Sequence, residues 1–187
     1  MRSVLADFER VLPLEVSDGL APPASEVELD DAQARLGVLL DPAHRALLTW
    51  HDGGKPGPER RRRMIELVPR FRLLSATELP GHHDALRAGL PEWAGFTPFC
   101  AHRTAPAWLA FAEPGHPMHG RVVMIDVHAI DFPSYASAFD DVRAMLQTVV
   151  QAIEEGAIVF DGGTMQRGAG FRDIAARRNP QCTIWSA

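Results

Sequence analysis

Residues 24–54 read ASEVELDDAQARLGVLLDPAHRALLTWHDGG, a stretch that holds two helix signatures and a turn. Ser25 and Glu28 stand at capping-box spacing, in which each side chain answers the other's backbone N–H at a helix start. Leu29, Ala32 and Leu36 then recur on one face, and Gly37 supplies the stop. Asp41 can cap a second helix, and Pro42 fits its first turn, where a missing N–H costs nothing. Ala43, Ala46, Leu47 and Trp50 form the expected apolar face of that helix, which Gly53-Gly54 ends.

Upstream, Val4, Leu5, Phe8, Val11 and Leu12 share one helical face until Pro13, and Leu14 to Ala24 reads as a connector containing Gly19, Pro22 and Pro23. Downstream, KPGPERRRR at 55–63 fits no regular element. Apolar runs at Met64 to Val68, Phe71 to Leu74, Ala107 to Ala112 and Arg121 to Val127 predict strands. No helix-sized segment separates the last two, so the sheet is expected to be antiparallel or mixed. A long helix is expected over Ser137 to Glu155, with Phe139, Val142, Met145, Leu146, Val149, Val150 and Ile153 on one stripe, and Gly156 closing it. Ala157 to Asp161 reads as a final strand and GGTMQRGAG as flexible. Ile184 and Trp185 either dock on the body or hang free.

The 187 residues suit one domain, and a globule of that size needs no disulfide or metal to fold. The composition, 46% hydrophobic and 23% charged, is that of a globular protein. No apolar run approaches a bilayer span, and acidic residues interrupt the N-terminal apolar stretch, so neither a membrane-spanning segment nor a cleaved leader is expected. Cys100 and Cys182 form no C-x-x-C pair and read as reduced thiols in a cytoplasmic protein. The net charge of -5 is uneven: residues 55–72 carry seven cations against Glu59 and Glu66, a local excess of five, so the rest carries -10. An acidic body with one basic loop favours a basic protein partner over nucleic acid.

The 24–54 stretch resembles the opening signature of SMI1/KNR4 (SUKH) proteins. In that family a capped helix ends in Leu-Gly, a Leu-Pro step starts the next, and an aromatic before Asn/Asp-Gly-Gly closes it. Here Leu36, Gly37, Leu40, Pro42, Trp50, Asp52, Gly53 and Gly54 match, and Gln33 stands where the family usually has Glu. FRLLSATEL, EWAGFTPFCA, RVVMIDV and YASAFDDVRAMLQTVVQAIEEGAI resemble the later blocks, in order. The resemblance implies an α+β fold, a SUKH-like central antiparallel or mixed sheet flanked by helices with a long C-terminal helix. It divides the chain into an N-terminal helix and connector (1–24), the SMI1/KNR4-like domain (25–161) and a C-terminal extension (162–187). It also implies a role in protein binding, in bacteria often as an immunity protein against a toxin and in fungi as a regulatory scaffold.

Catalytic chemistry has few footholds. The pairs His82-His83 and His116/His119 lack Cys or carboxylates at metal-ligand spacing, so no metal and no cofactor is expected. Gly163 and Gly168 have phosphate-loop spacing, but Ala169-Gly170 stand where Lys-Ser/Thr is required. Cys100 lies in an apolar block and reads as a core thiol, although His102 is near in sequence. At the end of its helix, His51 is better placed as a cation than as a general base.

The expected reading is therefore a non-catalytic protein-binding module, monomeric or weakly dimeric, whose partner is a protein such as a cognate toxin. Its expected contact residues are Trp50, His51, Asp52, Gly53 and Gly54 at the turn, Arg60, Arg61, Arg62 and Arg63 in the basic loop, and Trp108. Arg60 to Arg63 read first as a solvated loop, and Trp50 and Trp108 as core, unless found exposed. A scaffold that organises cellular proteins is the first rival. A hydrolase assembled from scattered His and Asp residues is the second, and a deep polar pocket lined by His51, His82, His102 or His116 would support it.

Overall fold

The computed structural model describes residues 1–55, 66–127 and 135–185. Its centre is an antiparallel sheet of six strands lying in chain order: β1 (Glu66–Val68), β2 (Phe71–Leu73), β3 (Phe96–His102), β4 (Ala107–Ala112), β5 (Val122–Asp126) and β6 (Tyr135–Phe139). All six residues of β4 are buried, because helices cover both faces of the sheet and neither side can be polar.

Alternate residues of β4 serve two cores. Leu109 and Phe111 join α1 (Arg2–Val11), α6 (Val142–Glu154) and α7 (Phe171–Arg178), which contribute Phe8, Met145, Leu146 and Phe171. Trp108, Ala110 and Ala112 face α3 (Glu26–Leu36) and α5 (Leu79–Arg87), which contribute Leu29, Leu36, Leu79 and Leu86. Helix α4 (Pro42–Trp50) serves both, sending Leu47 to the first core and Leu48 to the second. A short α2 (Leu14–Ser17) and a bridge between Leu20 and Gly54 order the connector.

The chain is thus a mixed α+β protein with a six-stranded antiparallel sheet. The expected helix starts are realised: Ser25 and Glu28 form the reciprocal box, and Asp41 accepts the N–H of Ala43. Gln33 accepts the Leu40 N–H at 3.1 Å, tying the end of α3 to the start of α4. Among the described residues, no helix is long and apolar enough to cross a membrane.

Five expectations need correction. The long helix begins at Val142, where the Asp141 side chain accepts from Ala144 N, and the preceding Tyr135–Phe139 is strand β6. It is also not the last helix, since the final one, α7, has 8 residues. Strand β3 was absent from the expected strands because it contains Pro98. A proline cannot donate to the ladder, and it is accommodated at a register shift between Pro98 and Cys100. The segment expected to be flexible pairs instead, as β7 (Ile158–Asp161) with β8 (Thr164–Arg167). Finally, α4 buries His44, Leu47 and Leu48, whereas Ala43, Ala46 and Trp50 are only half-buried.

The end of the chain docks on the body. Trp185 packs on Phe139 and Phe171, with Arg167 stacked on the Phe171 and Trp185 rings, and its indole N–H donates to the Ala138 carbonyl.

Candidate functional site

The turn His51-Asp52-Gly53-Gly54 is held from both sides. His51 Nδ1 lies 2.6 Å from the Ala21 carbonyl, and a carbonyl only accepts, so Nδ1 carries the proton. Asp52 Oδ1 accepts the Ala76 N–H at 2.6 Å. Gly53 has φ 73°, and an added Cβ would stand 3.3 Å from Ser75 N, so both conformation and space require glycine there. Trp50, half-buried before the turn, donates its indole N–H to Glu9 at 3.0 Å and packs edge-on against Phe8.

Beside this turn an open cleft of about 710 Å³ runs between the 21–23 connector, the end of β2, the start of α5 and the β3–β4 turn. Its polar lining is Glu28, Asp52, Lys55, Arg72, Ser75, Thr77, Glu78, His82, His102 and Arg103. Local sequence builds one wall. Ser75 and Glu78 repeat the capping spacing of α3, with Ser75 N and Oγ both 3.1 Å from Glu78 Oε2. Glu78 also holds Arg72 through two parallel contacts of 3.0 Å, the bidentate geometry that suits a guanidinium.

These contacts set the charges. Burial pushes the Glu78 carboxyl up, but Arg72 and the Ser75 donors outweigh it, leaving it below its ordinary value. The Asp52 carboxyl is raised, first by burial and further by Glu28 and Glu78, against the pull of the Ala76 N–H. Burial and Arg72 lower His82, with Glu78 opposing. Burial, Arg70 and Arg103 lower His102, against Asp126 and Glu66.

Both cleft histidines have a fixed tautomer. The Trp108 indole N–H donates to His82 Nδ1 at 3.1 Å, and the N–H groups of Thr104 and Ala105 donate to His102 Nδ1 at 3.2 and 3.0 Å. An indole or amide N–H only donates, so the imidazole proton of each ring sits on Nε2. These rings offer the cleft a donor, whereas a general base needs a bare nitrogen facing its substrate.

Of the expected contact residues, Asp52 and Gly54 line the cleft. His51 and Gly53 brace the turn behind them, and Trp108 is buried at 8% exposure, bonded to His82. Arg60, Arg61, Arg62 and Arg63 lie outside the described residues. His116 stands elsewhere, against Phe96 and Tyr135. Cys100 is fully buried and its thiol is pushed well up by that burial, the environment of an inert core thiol. Sequence reading missed Arg72, Glu78 and Arg103 as site residues; the one local signal was the Ser75-x-x-Glu78 spacing. Among the described residues, no group of three His, Cys, Asp or Glu side chains is placed to hold a metal ion.

No protein-family model matches the chain, and no curated protein matches it.

Proposed function

We propose that the chain is a non-catalytic protein-binding module of the SMI1/KNR4 kind, an immunity-type protein of the cytoplasm that neutralises a bacterial toxin by direct contact. One observation carries the reading. The cleft is open and mixes polar with apolar surface, yet its ionisable groups already hold structural bonds: Asp52 to Ala76, Glu78 to Arg72 and Ser75, and both imidazole Nδ1 atoms to N–H donors. Such a lining is rigid and preorganised for recognition. The order of capped α3, Gly37, α4 and the glycine turn, followed by an antiparallel sheet between helices, supports the family likeness.

A second reading, a hydrolase, is favoured by a cleft in the size range of small-molecule sites that holds His82, His102 and Asp52. It requires one imidazole to turn a bare nitrogen toward substrate, against both Nδ1 contacts.

The test is coexpression of the tagged protein with its genomic neighbours, followed by purification in moderate salt. One toxin recovered at one-to-one stoichiometry is the expected result. Several weak cellular partners would turn the reading to a regulatory scaffold, and no partner would bring the hydrolase forward.

A further inference from the structure

Resting on the protein-binding reading, we infer that the cleft beside the glycine turn takes an extended main-chain segment of the partner, read through its carbonyl and N–H groups. Charge argues against an ionic ligand. Among the described residues, Lys55, Arg72 and Arg103 balance Glu28, Asp52 and Glu78 along the lining, and each of these cations is already held, Lys55 by the Asp18 carbonyl, Arg72 by Glu78 and Arg103 by the buried Glu66.

The neutral hydrogen-bonding groups set the complementarity. His82 and His102 each keep an Nε2–H, because Nδ1 already accepts from Trp108 or from the 104–105 backbone. Those two donors suit carbonyl acceptors. Asp52 spends Oδ1 on Ala76 and has no cation bonded to it among the described residues, so its second oxygen suits an N–H donor. An extended peptide presents both kinds of group along one edge. Pro22, Pro23, Leu73 and Ala101 add an apolar floor for its side chains. About 710 Å³ accommodates several residues of such a strand.

Thr77 is exposed on the rim, so Thr77→Trp fills the cleft without touching either core, and an unchanged thermal midpoint checks its fold. A phage-displayed library of short random peptides is panned on the full chain. An enriched peptide is then compared with its main-chain N-methylated counterpart, which keeps the side chains and loses N–H donors. The expected result is enrichment on the parent, with affinity lower by roughly tenfold or more for Thr77→Trp and for the N-methylated peptide. No enrichment, or equal binding in either comparison, overturns the inference. The coexpression experiment separates the two levels. A partner that copurifies with the parent and with Thr77→Trp alike keeps the protein-binding reading and removes the cleft as its seat, whereas no partner with either removes the reading itself.

Discussion

The indole N–H of Trp108, in the middle of the sheet, donates to Nδ1 of His82 on the helix above at 3.1 Å, so a core residue sets the protonation of a cleft residue. The bond requires a bare Nδ1, and a protonated His82 would face the indole with a second donor.

His82→Leu is expected to leave a buried indole N–H without its acceptor and to cost about 1–3 kcal/mol, read as a lower urea midpoint at neutral pH. In the parent, His82 lies below its ordinary 6.5 in the folded state. The unfolded chain therefore takes the proton first as pH falls, and the contribution present above 6.5 is lost through the folded value below it. The Trp108 indole N–H resonance should shift with a midpoint below 6.5. A shift centred at or above 6.5 would show that the indole does not hold the ring neutral.

Glu66 is 2% exposed and joins three parts of the chain: Oε1 accepts from Arg103 at 3.1 Å and Oε2 from the Met165 N–H at 2.9 Å. Glu66→Ala strands one buried N–H and releases the β7–β8 hairpin from β1, for a loss of about 3 kcal/mol. Hydrogen exchange at Met165 should accelerate beyond what the global loss explains. Uniform acceleration across the chain would mean that Glu66 does not anchor the hairpin.

The framing helices were legible because their boundaries are local: Ser25 with Glu28, Asp41 with Pro42, and Gly37 each act within a few residues. Strand β3 was hidden by Pro98, which sits at a register shift, and β6 by Phe139, which falls in line with the stripe of α6. The cleft was illegible as a unit. Its lining comes from segments between Ala21 and Arg103 that only tertiary packing brings together, in part through the sheet register, with Arg72 opposite Ala101 and Ala101 opposite Trp108. The Trp50–Gly54 turn was found, yet its hydrogen bonds to Ala21 and Ala76 depend on partners that no spacing reveals.

The C-terminal segment is fastened by Asn179, which is fully buried. Its amide donates to Thr148 Oγ1 at 3.0 Å and to the Ala175 carbonyl at 2.9 Å, and its oxygen accepts the Asp140 N–H at 3.1 Å. Asn179→Leu removes three bonds at the junction of β6, α6 and α7, and should cost about 3 kcal/mol. Limited proteolysis should then cut first after Arg177 or Arg178. An unchanged cleavage pattern would mean that Trp185, Cys182 and the Arg121–Gln181 contact hold the tail without Asn179.

His44 is a buried imidazole whose protonation should oppose the fold in acid. It is 0% exposed, neither ring nitrogen has a hydrogen-bond partner among the described residues, and the ring lies against Phe99 and Phe111 at centroid distances of 6.1 and 5.3 Å. Burial lowers it from 6.5 to about 3. Between those values the unfolded chain binds a proton that the folded chain refuses, so stability present above 6.5 falls by about 1.4 kcal/mol per pH unit toward 3. His44→Leu fills a similar volume without a titrating group. Its stability relative to the parent should rise by about 3 kcal/mol between neutral pH and pH 4, measured by urea unfolding at each pH. His82, His83 and His102 are also lowered and remain in the variant, so an acid loss common to both proteins is expected. The changing difference isolates His44, and parallel stability curves would show that its ring finds a partner for the proton inside the fold.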